Sequence, residues 1–512
     1  MDRRYYVTTA IPYVNALPHV GFAMELVLAD ALARHRRLRG DDVRFLTGTD
    51  ENSLKNVQAA EALGIPTAAL VERNAAAFAG LRETLNLSFD DFIRTSAEAR
   101  HRAGVVRLWQ ACVERGDVYK RPYRGRYCVG CEQFYPDAEL VGGRCPEHGT
   151  VPELVEEHNW FFRLSRYQTQ LEDLLASGRL RVVPERYRNE VLAFVRRGLE
   201  DFSISRSSTR ARGWGIEVPD DPEQVLYVWF DALGNYITAL GYGDDGELFA
   251  RYWRDNPERV HVIGKGITRF HAVYWPAILL SAGLPLPTTI GVHGYLTVDG
   301  KKIGKSLGNA IDPTEVVQAH GVDAVRYFLA RHIRTGRDGD FNAGAVDRAR
   351  NTELADQLGN LLSRTVAMIV KYYDGVVPAA AQASPLEPEV ERACRSVEAA
   401  FDALTVDQAI DAAWSPVESA NRFLVGRAPW TLAKTRERGD HEAILATTLY
   451  TAAEVLRVAA LCLSPVIPDA AAEVHRQLGL APPGAGDWSG AGWGRLPPGT
   501  AVAPGPPLFP KV

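Results

Sequence analysis

The pattern that most constrains this chain is a strand–loop–helix unit that opens the sequence, repeats once, and is then interrupted. Residues 5–10 read as a buried strand, residues 11–18 as a loop containing Pro and Asn, and residues 21–37 carry the apolar spacing of a helix. A second apolar strand at residues 43–48 runs into Thr49-Asp50-Glu51-Asn52 and another helix. This predicts half of a parallel, doubly wound sheet, a fold that gathers ligands at its strand ends. Near residue 116 the pattern breaks into Gly, Pro, Cys and Arg punctuation, and strand-like runs resume at residues 225–229 and 260–264. An insertion therefore splits the sheet domain. From about Asn351 helical periodicity dominates until Pro and Gly take over after Ala481.

A chain of 512 residues exceeds one core and fits three or four domains. With 46% hydrophobic and 24% charged residues it is excluded from the disordered and fibrous classes. A net charge of -5 excludes a general polyanion-coating protein, so contact with nucleic acid must come from local patches. Three Arg clusters qualify: Arg34, Arg36, Arg37 and Arg39; Arg121, Arg124 and Arg126; and Arg206, Arg210 and Arg212. The N-terminus lacks the apolar core of a signal peptide, and no uncharged apolar run reaches the roughly 20 residues of a membrane span, which predicts a cytoplasmic protein without a membrane partner.

Three segments carry chemistry. His19-x-Gly21 sits where the first helix begins, so unpaired amides and the helix dipole favour phosphate there. Read alone, the two residues are first a helix cap and a packing glycine. The second segment, Lys302-Ile303-Gly304-Lys305-Ser306-Leu307-Gly308-Asn309, is a Gly-rich loop with two lysines. It is not a P-loop, because the glycine required with four residues between it and Gly304-Lys305 falls at position 299, which is Asp299, and Gly300 is one residue too close. The third is Cys128-x-x-Cys131, thirteen intervening residues, then Cys145-x-x-His148. Two turn-rich ligand pairs at this spacing suit one tetrahedral Zn²⁺ closed by four protein ligands, hence a structural ion.

Taken together, in this order and on opposite halves of a split nucleotide fold, the first two segments resemble the HIGH and KMSKS signatures of class I aminoacyl-tRNA synthetases. Ala10-Ile11-Pro12-Tyr13-Val14-Asn15, Gly48-Thr49-Asp50-Glu51, residues 227–232, 261–265 and 292–295, with the paired Cys and His, are similar to the methionyl members of that family. The resemblance covers nearly the whole chain. It implies a split Rossmann-like catalytic domain (1–115 and 224–299) with a connective zinc-knuckle insertion (116–223). A KMSKS-type loop and stem-contact region (300–350), an all-α anticodon-binding bundle (351–485) and a Pro/Gly-rich tail (486–512) follow.

The resemblance also implies an activity: L-methionine is activated with Mg²⁺-bound ATP and transferred to the 3'-terminal adenosine of tRNA(Met). His19, Gly21, Lys302 and Lys305 would be catalytic, with Phe22, Gly264 and Ser306 completing the ATP site. Ile11, Tyr13, Asp50, Trp229, Tyr236, Ile267 and His271 would hold methionine, and Asn360, Arg364 and Trp430 would read the anticodon. No further C-terminal dimerisation module is expected after the bundle, so a monomer is expected.

Four positions depart from the family pattern. Phe22 replaces the last histidine of the first signature, Asn52-Ser53 stands for His-Gly, Gly266 stands where Asp commonly follows Gly-Lys, and Ile303-Gly304 replaces Met-Ser. All are expected in or beside the ATP half of the site. They leave open, as an alternative, a catalytically weakened or inhibitor-resistant paralogue.

Overall fold

The computed structural model describes residues 3–130, 133–135, 137–147, 149–298, 300–303 and 309–511, with backbone alone at 133, 138 and 302. Its centre is a six-stranded parallel sheet. In chain order the strands are β1 (Arg4–Thr9), β2 (Asp42–Thr49), β3 (Asp91–Arg94), β4 (Arg181–Val183), β5 (Arg259–Gly264) and β6 (Thr289–His293), arranged β3-β2-β1-β5-β6-β4. β1 reads Arg-Tyr-Tyr-Val-Thr-Thr and is buried over its last five residues, as expected for a central strand covered on both faces. It pairs with β2 through Val7–Phe45 and with β5 through Val7–Val260. The chain order reverses between β1 and β5, which makes their carboxyl ends the switch point where such sheets bind ligands.

Two features of this sheet differ from the sequence reading. Residues 225–229 do not form one strand of it: the strand Asp221–Leu226 lies in a separate three-stranded antiparallel sheet, and the helix Val228–Thr238 begins two residues later. The edge strand β4 comes from within the stretch assigned to the insertion. The rest of that stretch includes a four-stranded antiparallel sheet built on the long pair Val118–Cys128 and Glu153–Phe162.

Helix α1 (Val20–Leu38) packs on β1 and runs from the switch point to the C-terminal bundle. There the His35 ring stacks on Phe401 at 4.0 Å, and Arg36 and Arg39 pair with Asp402 at 3.1 and 2.9 Å. Arg34 pairs with Asp30 and Arg37 with Asp90, each at 2.8 Å. The first Arg cluster is therefore spent on internal ion pairs rather than displayed to a polyanion. Arg206 is likewise buried, donating to Ser203 Oγ and Ser205 O, while Arg121 and Arg124 are exposed on the long insertion strand.

The bundle contains the helices Asn360–Tyr373, Glu387–Asp402, Val406–Arg427, His441–Leu463 and Pro468–Gln477. His441–Leu463 is long and apolar enough to cross a membrane, but 94% of its apolar window is buried inside the bundle, and Glu454 and Arg457 pair within it at 2.7 Å. It is the bundle's core helix. The stretch after residue 486 is no loose tail: Leu496 and Val502 are buried and Val376 bridges Ala501.

One fully buried side chain joins the parts. Arg326, on the helix Val322–Arg331, donates to Asp30 of α1 at 2.7 Å and to the carbonyls of Leu85, Pro465 and Val466. A guanidinium with its donors matched in this way offsets its desolvation.

Candidate active site

At the switch point lies a cleft of about 470 Å³. Its floor starts at the end of β1, where Asp50 N donates to Pro12 O at 2.9 Å and Tyr13 bridges Asp50, so the loop after β1 is held against the end of β2. Ile11, Tyr13 and the buried Asp50 line the cleft together with Lys55, whose ammonium sits 4.5 Å from the Tyr13 ring centre. Across from them, Trp229 stacks on Phe270 at 3.8 Å with an interplanar angle of 7°, and Ile267 lies beside them.

Tyr236 and His271 do not line this cleft. They form a buried layer behind it, in which Tyr236 Oη donates to His271 Nε2 at 2.7 Å and His271 Nδ1 donates to Ile267 O at 3.0 Å. Burial lowers the His271 pKa to about 4, consistent with the neutral tautomer these two bonds require.

The other half of the cleft begins at α1. His19 is extended (φ -133) and its Nδ1 accepts from Gly21 N at 3.1 Å, capping the helix. Nδ1 is thereby the unprotonated nitrogen and Nε2 carries the proton, while burial lowers the imidazole pKa and keeps it neutral. Both simple roles of His19 coexist: one nitrogen caps, the other remains a donor. A Cβ at position 21 would lie 2.9 Å from His19 Cε1 and 3.6 Å from Ile303 Cδ1, so the glycine keeps open the seam where the two signature segments meet.

Glu25, one turn further along α1, is buried and ties three elements together. Its Oε1 accepts from Ala10 N at 2.8 Å and its Oε2 accepts from His293 Nε2 at 2.7 Å. Glu25, Lys55, Phe270 and His293 line the cleft without having been singled out as site residues from sequence. A carboxylate on the inward face of the first helix is a signal for Glu25. Its histidine partner lies 268 residues away, and no local pattern links them.

The departures from the family pattern fall in different places. Phe22 lines the cleft and packs edge-on against Phe78 at 5.4 Å, extending a small apolar cluster with Val14 and Val71. Gly266 and Ile303 also line it, and Gly264 faces His293. Asn52 does not: it donates to Asp231 at 2.7 Å, whose other oxygen accepts from buried His101 at 2.6 Å, and Ser53 caps the next helix. Lys305, Ser306 and Gly304 lie outside the described residues, as does the Lys302 side chain.

Residues Gly130, Tyr135 and Glu147 of the insertion reach the same cleft. Nearby, Cys128 and Cys145 are both buried in one small cluster with Tyr135 and Leu140, and Cys145 starts a turn closed by Gly149 N to Cys145 O at 2.8 Å. Their partners by spacing, Cys131 and His148, lie outside the described residues.

In the bundle, Asn360 and Arg364 share a face of the helix Asn360–Tyr373. Trp430 remains 40% exposed, with the Arg364 guanidinium 5.8 Å from its ring centre. The trio is presented on the surface, and an exposed indole beside a cation is a platform for stacking on a flat ring.

Comparison with known proteins places this geometry. The model of class I tRNA synthetases (M) matches residues 5–151 and 148–366, and that of the anticodon-binding domain of methionyl tRNA ligase matches 376–512. The chain is 45% identical to a methionine--tRNA ligase of Mycobacterium tuberculosis, over 99% of this chain and 98% of that one. It is also 45% identical to one from Deinococcus radiodurans, over 100% of this chain and 75% of that one. The structure of the Mycobacterium tuberculosis methionyl-tRNA synthetase in complex with methionyl-adenylate superposes with a TM-score of 0.93 at 44% identity, covering 99% of this chain and 100% of that one. The free form of the same enzyme gives 0.87 at 42% identity over 100% and 99%. With both family models and these relatives together spanning nearly its whole length, the chain belongs to the methionyl-tRNA synthetase family of class I.

Proposed function

We propose that this protein is a methionine–tRNA ligase that makes methionyl-adenylate from L-methionine and ATP and passes methionine to the terminal adenosine of tRNA(Met). The observation that carries the reading is the division of one cleft. An apolar, aromatic half (Ile11, Tyr13, Trp229, Ile267) meets the N-terminus of α1, where the His19 cap and the helix amides suit a phosphate. A thioether is soft and apolar, and aromatic walls stabilise it by roughly 0.3–1.5 kcal/mol per contact. Asp50 supplies the charge opposite the substrate ammonium.

In the first step the methionine carboxylate attacks the α-phosphorus, an O–P bond forms, and the bond to the β-phosphate breaks with pyrophosphate leaving. His19 Nε2–H and the amides of α1 face the developing phosphoryl charge. Lys302 and Lys305 carry the departing pyrophosphate, and Mg²⁺ when bound neutralises the phosphates. In the second step a ribose hydroxyl of the terminal adenosine attacks the activated carbonyl and AMP leaves. Asn360, Arg364 and Trp430 take the unpaired anticodon bases, the indole by stacking.

Cys128, Cys131, Cys145 and His148 would hold one structural Zn²⁺, whose closed coordination would tie together the turns of the insertion. The shared buried cluster of Cys128 and Cys145 supports this reading. The enzyme works as a soluble, cytoplasmic monomer.

The deciding experiment is ATP–pyrophosphate exchange against each amino acid. Exchange with methionine alone is expected, and background exchange with all of them overturns the reading. Elemental analysis should find one zinc per chain, reduced in Cys128→Ser.

A further inference from the structure

Gly266 and Tyr295 share one space on the cleft wall. A Cβ built on Gly266 would come within 2.2 Å of the Tyr295 hydroxyl oxygen, so this hydroxyl stands where a side chain at 266 would project. The backbone of Tyr295 is held by two hydrogen bonds, and a cation sits against its ring. Tyr295 N donates to Asp338 Oδ1 at 2.8 Å, Gly339 N donates to Tyr295 O at 3.0 Å, and the Lys265 ammonium lies 4.5 Å from the ring centre while pairing with Asp338 Oδ2 at 2.7 Å. Behind it, Gly294 is packed so closely on Arg337 O that a Cβ there would sit at 2.1 Å. Position 266 is one of the departures noted above, where Asp commonly follows Gly-Lys.

With phosphate at the start of α1 and the amino acid among Trp229, Ile11 and Tyr13, the wall left for the nucleoside runs from Gly264 and Gly266 to His293, Gly294 and Tyr295. The two glycines allow close approach. Glu25 and His293 on this side hold each other and the end of β1. The hydroxyl on the wall belongs to Tyr295. We propose that Tyr295 Oη is the contact for a sugar hydroxyl of the bound adenine nucleotide, and that Gly266 is the small residue required to admit it. The sugar is then recognised by a neutral group that can both donate and accept. The inference deepens the proposed function and rests on it for the identity of the nucleotide.

The test measures dissociation constants of ATP, 2'-deoxy-ATP and 3'-deoxy-ATP by titration of intrinsic fluorescence, for the full chain and for Tyr295→Phe. Wild type should prefer ATP over one deoxy analogue by about 3- to 10-fold, the range of one neutral hydrogen bond, and Tyr295→Phe should bring that ratio close to one. A preference unchanged in Tyr295→Phe overturns the proposal, as does its absence in wild type. Gly266→Asp should weaken ATP binding strongly alone and less in the Tyr295→Phe background. Additive effects would refute the shared space. Binding is read without turnover, so a wild type that binds ATP with this preference but shows no exchange rejects the proposed function and leaves this inference standing.

Discussion

In the proposed reading His19 has two functions, because one imidazole caps α1 through Nδ1 and keeps Nε2–H for a ligand. His19→Ala removes both roles, and kcat for pyrophosphate exchange should fall about 10²- to 10³-fold, as for loss of one oxyanion donor. It should also cost about 1 kcal/mol of stability for the cap, read by denaturant titration, whereas His19→Asn should keep the cap and lose only the rate. At this scale the site was legible where chemistry is written in adjacent residues, as in His19-x-Gly21 or Asp50 after β2. Phe270 was not, since an aromatic beside His271 reads as core until its face is seen stacked on Trp229. Tyr236 and His271 carried the converse ambiguity: polar aromatics in a matching segment are placed behind the wall by packing that the motif does not encode.

Among elements, the helix Asn360–Tyr373 and the turn at Trp430 show how short segments far apart make one surface. Trp430→Ala should lower kcat/KM for tRNA charging about 10- to 100-fold, the worth of one stacked base, while exchange stays within twofold. A loss confined to exchange would contradict the assignment. The parallel sheet was readable from the strands at residues 5–10, 43–48 and 260–264 because both faces are buried and the apolar runs are continuous. Residues 225–229 misled because Val, Tyr and Trp favour strands in composition. In the fold, Tyr227 O accepts from Phe230 N at 2.8 Å and from Asp231 N at 3.2 Å, and the chain turns into a helix there. The three residues of β4 are too few to show any period.

Across the whole molecule, stability should depend on acid. His35 is pushed down to about 3 by burial, with neighbouring Arg39 and Arg36 adding to the shift, and both of its ring nitrogens are buried without hydrogen-bond partners. Burial also holds His271 at about 4 and His261 well below its ordinary value. These groups stay neutral in the fold and take protons when unfolded. Their contribution is complete above about pH 6.5 and is lost as pH falls from there toward the folded values. Melting temperatures should therefore drop between pH 6.5 and 4. His35→Phe, which keeps the stack on Phe401 and removes the titration, should flatten that drop, and melts of both proteins across this range check it. Buried Asp323, raised to about 7, acts with the opposite sign, since its neutral form is favoured and stability declines as pH rises from about 4 through 7.

The order β3-β2-β1-β5-β6-β4 carries a consequence for biosynthesis. β1 pairs with β2 almost at once, but its other edge waits for β5, whose His261 meets Thr8 across 253 residues. At about 5–20 residues per second, the ribosome needs roughly 13–50 s to supply that partner. Through that interval an apolar strand edge at the heart of the future cleft stands open to other nascent chains. The insertion thus lengthens the time for which the growing chain carries that unpaired edge.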